Sequence, residues 1–389
     1  MSLTRTDRVR VEVERLVRAG VAGNVFPGAS CALSWRTPPH RKSPSVRGTL
    51  HAAETATGLR EPSGKPVTVD TIFDLASLTK PVVAMTALRL VARGALTLGT
   101  RAEELLLDTR GSVGGQATLE QLLTHRSGLA AWGGLYLDVP HEPGTTAAKR
   151  WMLSEACRRV DEGPKPRDAS GALKPVYSDL GYLVAGEMVA KAGGRDLASL
   201  VQQEVVEPLG LDDRELFFAR ALSPERHAEL LKNVAATERD DWRGRLLRGE
   251  VHDENCYAFG GVSGHAGLFG TARAVAAFGR AVLDTSLGIA PSWMPPDLMN
   301  LALAPRPGGS NRLGFDGKST GESAAGKRTS PETFGHLGFT GTSLFCDPVH
   351  DVVAVLLTNR VCPSRANQKI KFFRPALHDG VMAILFPNA

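Results

Sequence analysis

Between residues 4 and 19, Val9, Val11, Val13, Leu16 and Val17 recur among charged residues, which predicts an amphipathic helix ending near Gly20. Residues 29–35 form a strand-like run. The Pro- and Arg-rich stretch 37–47 reads as a long hairpin loop, with 48–57 as the return strand. Residues 67–73 lead into a helix over 77–93 that is apolar on nearly all sides, so it is expected to be buried, with Gly94 as its stop. Further helices are predicted at 119–125, 180–192 and 271–283, and a turn-rich surface loop at 161–174. Beyond about residue 330 the text turns to strands. One is expected over 335–347, and a continuous apolar run, Val352 to Thr358, has the character of a buried strand. Residues 376–386 read as a closing helix.

Strand-rich segments at both ends thus bracket a helical middle. The expected class is α+β. A sheet domain is built from residues 1–75 and 271–389, a mainly helical domain from 76–270, and the active site lies in the cleft between them. The sheet is expected to be predominantly antiparallel and flanked by helices, because no crossover helices join the terminal strands.

Composition narrows the class further. The chain has 389 residues, 42% apolar and 22% charged, as in a soluble globular protein of one large or two ordinary domains. A net charge of +5 without a long basic run gives no reason to expect a nucleic-acid partner. No apolar run reaches the length of a membrane span; the best, residues 82–91, is interrupted by Arg89. The N-terminus lacks the apolar stretch of a signal peptide, so a cytoplasmic location is expected, or a periplasmic one if a leader has been removed. Five scattered cysteines with no CxxC pair predict reduced, mostly buried thiols.

The candidate chemistry begins at Asp74-Leu75-Ala76-Ser77-Leu78-Thr79-Lys80. Residues three apart on a helix share a face, so the Ser77 hydroxyl and Lys80 ammonium can meet. A helix start offers free N–H groups to a developing oxyanion. A lysine crowded into a partly buried site is expected to lose its proton and activate the serine. Taken alone, Ser-x-x-Lys is a weak signal and more readily describes a capping serine followed by a surface lysine.

The surrounding segments add context. Residues 75–91 (LASLTKPVVAMTALRLV) resemble the nucleophile helix of the serine β-lactamase and penicillin-binding-protein superfamily, for which Ser-x-x-Lys is a signature. In the expected order follow residues 122–129 (LLTHRSGL), 177–182 (YSDLGY), 264–268 (GHAGL), 336–341 (HLGFTG) and 357–360 (LTNR), each similar to a segment of class C-like relatives. The resemblance implies a β-lactamase/transpeptidase-like fold and acyl transfer through Ser77, followed by hydrolysis of the acyl-enzyme, with no metal or organic cofactor. It implies Lys80 as the activating residue and Tyr177 as general acid/base, with a phenol pKa lowered by Lys80. The N–H groups of Ser77 and Phe339 would form the oxyanion hole, and His336 and Gly338 would flank the substrate.

Two departures from the family pattern bear on substrate. Asp179 stands where Tyr-x-Asn has its amide. A carboxylate only accepts hydrogen bonds, and it favours a charged Lys80, a poorer base. His336 stands where the third motif usually has lysine, and a neutral imidazole is a weak anchor for a substrate carboxylate. Both tilt the expectation toward small-molecule esters or amides over β-lactams. The alternatives are a β-lactamase or D-Ala-directed peptidase, and a non-catalytic penicillin-binding or sensor module.

Other candidates have plainer readings. His125 lies in a motif that is structural in relatives. His252-Asp253-Glu254 lacks zinc-protease spacing and reads as a polar loop, and residues 321–327 as a loop rather than a phosphate cradle. The Gly-x-Ser-x-Gly elbow of α/β-hydrolases is absent. For Trp132, Tyr136 and Trp151 core packing is favoured over pocket lining.

Overall fold

The computed structural model describes residues 4–45, 48–160, 166–168, 171–289 and 293–387. Six strands form the main sheet: β1 (Gly28–Thr37), β2 (Thr49–Gly58), β3 (Asp316–Gly317), β4 (Phe334–Leu337), β5 (Ser343–Asp347) and β6 (Val352–Thr358). Their spatial order is β2-β1-β6-β5-β4-β3, and every neighbouring pair is antiparallel. This is the antiparallel α+β architecture that the resemblance implied. The first two strands and the last four meet where β1 pairs with β6, Ala29 opposite Thr358 and Trp35 opposite Val352.

The continuous apolar run of β6 is explained by burial on both faces. Val352, Ala354 and Leu356 pack with Cys31, Leu33 and Trp35 beneath helices α1 (Arg5–Ala22) and α5 (Ile370–Leu385). The alternate residues Val353, Val355 and Leu357 join the larger core that contains α2 (Thr79–Ala92), α3 (Asp179–Gly193) and α4 (Ala272–Ser286). That core is continuous from the helical middle into the sheet.

Several boundaries differ from the sequence pattern. Helix α1 passes through Gly20 and ends at Ala22, because Gly20 is a packing position: a Cβ there would fall 2.4 Å from the Phe26 ring. Residues 335–347 are not one strand. Strands β4 and β5 form a hairpin, with His336 paired to Leu344, and the chain reverses at Gly341, whose φ is +103°. Helix α5 begins at Ile370, before the predicted start, and carries Pro375 inside it. In the middle region, Phe73–Asp74, Leu268–Gly270 and Leu216–Phe218 form a three-stranded antiparallel sheet not evident from helical periodicity. Strands this short carry too few alternations to register as a pattern. Of the predicted loop 161–174, residues 161–165 and 169–170 lie outside the described residues; within the rest, Arg167 bridges to Leu173. Among the described residues, no helix is long and apolar enough to cross a membrane.

A close approach of two backbones positions the segment 263–268. A Cβ on Gly264 would fall 2.0 Å from the Tyr182 carbonyl oxygen, and one on Gly186 would fall 2.7 Å from the Gly264 nitrogen. Small residues on both sides therefore let this segment lie directly on α3. Gly264→Ala is expected to destabilise the fold by about 1–3 kcal/mol, as overpacking does. Chemical denaturation of the two proteins, compared at equal m-value, checks this.

Candidate active site

Ser77 sits in a single 3-10 turn, Ala76–Leu78, that feeds into α2. The turn is held by the residue that ends the preceding strand. The buried Asp74 carboxylate accepts from the Ala76 N–H at 2.8 Å and from the His252 N–H at 2.6 Å. Ala76 adopts a left-handed φ of +48°, which costs about 1–2 kcal/mol for a residue with a Cβ. The Thr79 hydroxyl, donating to the Ala76 carbonyl at 2.7 Å, helps fix that conformation. Strain of this kind lets the serine turn out of the helix and face the cleft.

Lys80 lies one turn on and is fully buried. Its ammonium donates to three acceptors: Ser77 Oγ at 2.8 Å, Asp179 Oδ1 at 2.6 Å and the His265 carbonyl at 3.3 Å. Burial works against its charge, but Asp179 and then Tyr177 more than offset it, and the lysine pKa is raised. The expectation of a lysine that sheds its proton is thus corrected: the carboxylate of Asp179 keeps Lys80 an ammonium.

The Tyr177 hydroxyl interacts with both Lys80 and Ser77, and the ammonium lies 4.8 Å from its ring centroid. The expectation of a lowered phenol pKa is also corrected. Desolvation pushes it up to about 12; Lys80 opposes this and Asp179 adds to it. Tyr177 is therefore a neutral phenol at ordinary pH. His125 positions this stretch: its Nδ1 accepts the Ser178 N–H at 3.0 Å and its ring lies 4.5 Å from that of Tyr177. Burial, then Lys80, depress the pKa of His125 well below the ordinary histidine range, so it is neutral. Ser178 caps α3 by accepting from Gly181, and the Asp179 N–H donates to the Ala131 carbonyl at 2.9 Å.

The β4–β5 turn forms the opposite side of the cleft. Thr340 and Thr342 donate their hydroxyls to the Asp74 and Leu75 carbonyls at 2.8 and 3.0 Å, binding the turn to the segment before the serine. Arg374 clamps the Gly338 and Thr342 carbonyls at 2.7 and 2.8 Å. A Cβ on Gly338 would fall 1.9 Å from Thr342 Oγ1 and 2.7 Å from the Leu75 carbonyl, so only glycine fits. Among the described residues, the N–H groups of Ser77 and Phe339 have no acceptor. The buried His336 donates Nδ1–H to the Leu337 carbonyl at 2.8 Å, and burial followed by Lys80 lowers its pKa to about 3. Its imidazole is neutral and leaves Nε2 as an acceptor.

A serine, an ammonium and a phenol at mutual contact, facing a strand edge with free N–H groups, match a family defined by this set. The family model described as Beta-lactamase matches residues 13–373. The chain belongs to the β-lactamase family. Among curated relatives of this β-lactamase-family serine hydrolase, an N-acetylmuramyl-L-alanine amidase of Bacillus subtilis (strain 168) is 31% identical, over 75% of this chain and 68% of the amidase. A putative D-alanyl-D-alanine carboxypeptidase of Escherichia coli (strain K12) is 28% identical, over 75% of this chain and 70% of its own. Among solved structures, EstCE1, a hydrolase with promiscuous acyltransferase activity, superimposes with a TM-score of 0.70 at 18% identity, covering 96% of this chain and 98% of its own. The last likeness concerns the fold.

The β-lactamase-family fold brings together all the residues singled out from sequence: Ser77, Lys80, Tyr177, Asp179, His336, Gly338 and Phe339. Sequence reasoning assigned no part to Asp74, Thr340, Thr342, Arg374 or the His265 carbonyl. Their only signal was position inside or beside the quoted segments. His252 and Asp253 are absorbed structurally: His252 pairs with Glu238 at 2.8 Å, and Asp253 accepts from His265 at 2.9 Å. A cavity of about 530 Å³, lined by Arg220, His227, Arg245, Glu250 and Tyr257 among others, does not include Ser77, Lys80 or Tyr177.

The depressed pKa of His336 has a pH signature. Between the ordinary value of 6.5 and about 3, the unfolded chain binds a proton at this position that the folded chain refuses. Stability should therefore fall as pH drops through that window. His336→Gln is expected to flatten the dependence of unfolding free energy on pH between about 6.5 and 4, measured by urea titration at several pH values.

Proposed function

We propose that this serine hydrolase acts on small-molecule esters or small amides that lack a carboxylate next to the scissile bond. The observation that carries this reading is the commitment of the cations around Ser77. Lys80 is paired with Asp179, Arg374 is bound to two carbonyls, Arg360 donates to the Phe339 carbonyl at 2.6 and 2.8 Å, and His336 is neutral. A β-lactam or a D-alanyl terminus presents a carboxylate that needs a free cation at the strand edge. An ester or a simple amide needs none.

In this reading Ser77 Oγ attacks the carbonyl carbon, and the developing oxyanion takes the N–H groups of Ser77 and Phe339. Tyr177, a neutral phenol, accepts the serine proton while passing its own to the leaving group. Charge is thereby conserved at the tyrosine, and the C–O or C–N bond breaks with a protonated leaving group. The Lys80 ammonium stabilises negative charge on Oγ and on the phenol oxygen as the protons move. Water then attacks the acyl-enzyme and gives a proton to Tyr177 as Tyr177 passes its own to Ser77 Oγ, so that the bond between Oγ and the acyl carbon breaks and the acid is released. The names of the amidase and carboxypeptidase relatives keep amide and peptide substrates as a second reading, favoured by the shared family and disfavoured by the neutral His336.

The test is turnover of a short-chain p-nitrophenyl ester beside a chromogenic cephalosporin. Wild type should hydrolyse the ester in preference, and Ser77→Ala should abolish that activity. Tyr177→Phe should lose about 10²–10⁴-fold in kcat with an unchanged thermal midpoint, the range for loss of a general acid/base. Asp179→Asn restores an amide that can donate as well as accept and lowers the positive charge on Lys80. It should raise the ratio of cephalosporin to ester turnover, and an unchanged or lower ratio would count against the role given to Asp179.

A further inference from the structure

The hydrogen bonds behind the Phe339 N–H end on a buried cation. That N–H belongs to the peptide joining Gly338 to Phe339, and the other end of the same peptide is the Gly338 carbonyl. Arg374 Nη2 donates to this carbonyl at 2.7 Å, beside the Gly341 N–H at 3.1 Å. Arg374 is buried, and among the described residues its guanidinium meets carbonyls and no carboxylate, with Nε left unpartnered. Burial, and then Arg360, work against its charge. Buried arginines elsewhere in the fold, such as Arg36, Arg126 and Arg280, are paired with aspartates. The charge of Arg374 is instead directed into one side of the oxyanion hole.

A peptide is one resonating unit, so a cation that draws electron density onto the carbonyl oxygen leaves the N–H at the other end more positive and a stronger donor. A charge-assisted bond does this more than a neutral one, and the dry interior strengthens it further. The two donors of the hole differ in this respect. Behind the Ser77 N–H, the Ala76 carbonyl accepts from the neutral Thr79 hydroxyl. Behind the Phe339 N–H stands a guanidinium. A second arginine keeps that N–H from turning away. Arg360 donates Nε and Nη2 to the Phe339 carbonyl at 2.8 and 2.6 Å, and its guanidinium carbon lies 4.6 Å from the Phe339 ring centroid.

We propose that Arg374 is a positioning residue that acts through the Gly338–Phe339 peptide, its charge making the Phe339 N–H the stronger of the two oxyanion donors. The guanidinium never meets the substrate. Its effect is felt by the negative charge that appears on the carbonyl oxygen during reaction, so it raises turnover more than ground-state binding. The inference rests on the proposed reaction at Ser77 and adds a source for the electrostatic stabilisation of its oxyanion.

The experiment separates the charge of Arg374 from its grip on the turn. His378 lies one helical turn beyond Arg374 on α5, is buried, and has no partner at Nε2. His378→Glu sets a carboxylate beside the guanidinium while sparing the bonds to Gly338 and Thr342, and His378→Gln is the neutral control of the same shape. With p-nitrophenyl acetate, His378→Glu should lower kcat and kcat/KM together by about tenfold relative to His378→Gln, less than the loss of a whole oxyanion donor. Equal turnover in the two overturns the inference. Substitution of the arginine itself is the second arm. Arg374→Gln should lose about tenfold or more, and Arg374→Lys, which keeps the charge, should recover most of that loss. A lysine variant as slow as the glutamine variant overturns the inference, since a purely structural grip would be lost in both. Phenylboronic acid, which becomes a tetrahedral anion on Ser77 Oγ, gives a readout independent of turnover. Its Kd should be about tenfold weaker in His378→Glu than in His378→Gln, and equal values overturn the inference. The reaction is tested apart from this by Ser77→Ala. Esterase activity surviving there removes the reaction and the inference together, whereas activity that needs Ser77 but is equal in the His378 pair removes the inference alone.

Discussion

The ion pair between Lys80 and Asp179 is the contact on which the site is organised. Burying an ammonium without a partner costs several kcal/mol, and the cost is recovered only when all its protons are matched. Lys80 meets that condition with a carboxylate, a backbone carbonyl and the Ser77 oxygen. The three acceptors come from different parts of the chain: the 3-10 turn, the first turn of α3 and the segment 263–268. Satisfying one charge therefore fixes the relative placement of three elements. Because Ser77 Oγ serves as an acceptor to Lys80, its own proton is directed elsewhere, and Tyr177 is the hydroxyl at hand.

The same charge sets the protonation of its neighbours. His125 and His336 are held neutral by burial, with Lys80 as the next contribution to each. Tyr177 stays a phenol because desolvation and Asp179 outweigh the lysine. A site whose ammonium is paired with a carboxylate and ringed by neutral imidazoles and a neutral phenol has little free positive charge to offer an anionic substrate. It is well suited to stabilising an oxyanion that appears only during reaction.

A second constraint joins the sheet to the nucleophile. Thr340 and Thr342 on the β4–β5 turn bond the carbonyls of Asp74 and Leu75, and Arg374 from α5 holds the turn from behind. The C-terminal helix, the sheet edge and the serine turn are thereby one rigid unit. Gly338 is required in it by the lack of space for a Cβ, not by its dihedral angles.

The order of the segments, the antiparallel sheet made from both termini and the identities of Ser77, Lys80 and Tyr177 were legible in the chain. Local patterning encodes the sheet, and a three-residue offset on one helix turn encodes the Ser77–Lys80 pair, whereas Tyr177 was legible only through the resemblance of residues 177–182 to the family. The hairpin inside 335–347, the strands at 73–74, 216–218 and 268–270, and the passage of α1 through Gly20 were not. Each depends on a partner distant in sequence: Leu344 across from His336, Phe269 across from Asp74, Phe26 and Phe373 against Gly20. Protonation states belong to the same class. The sequence names a lysine, a tyrosine and an aspartate, but a pKa depends on burial and on charges brought near by folding. Only the tertiary structure decided that Lys80 is charged, that Tyr177 is neutral, and that Trp132 is exposed while Tyr136 and Trp151 pack against the core.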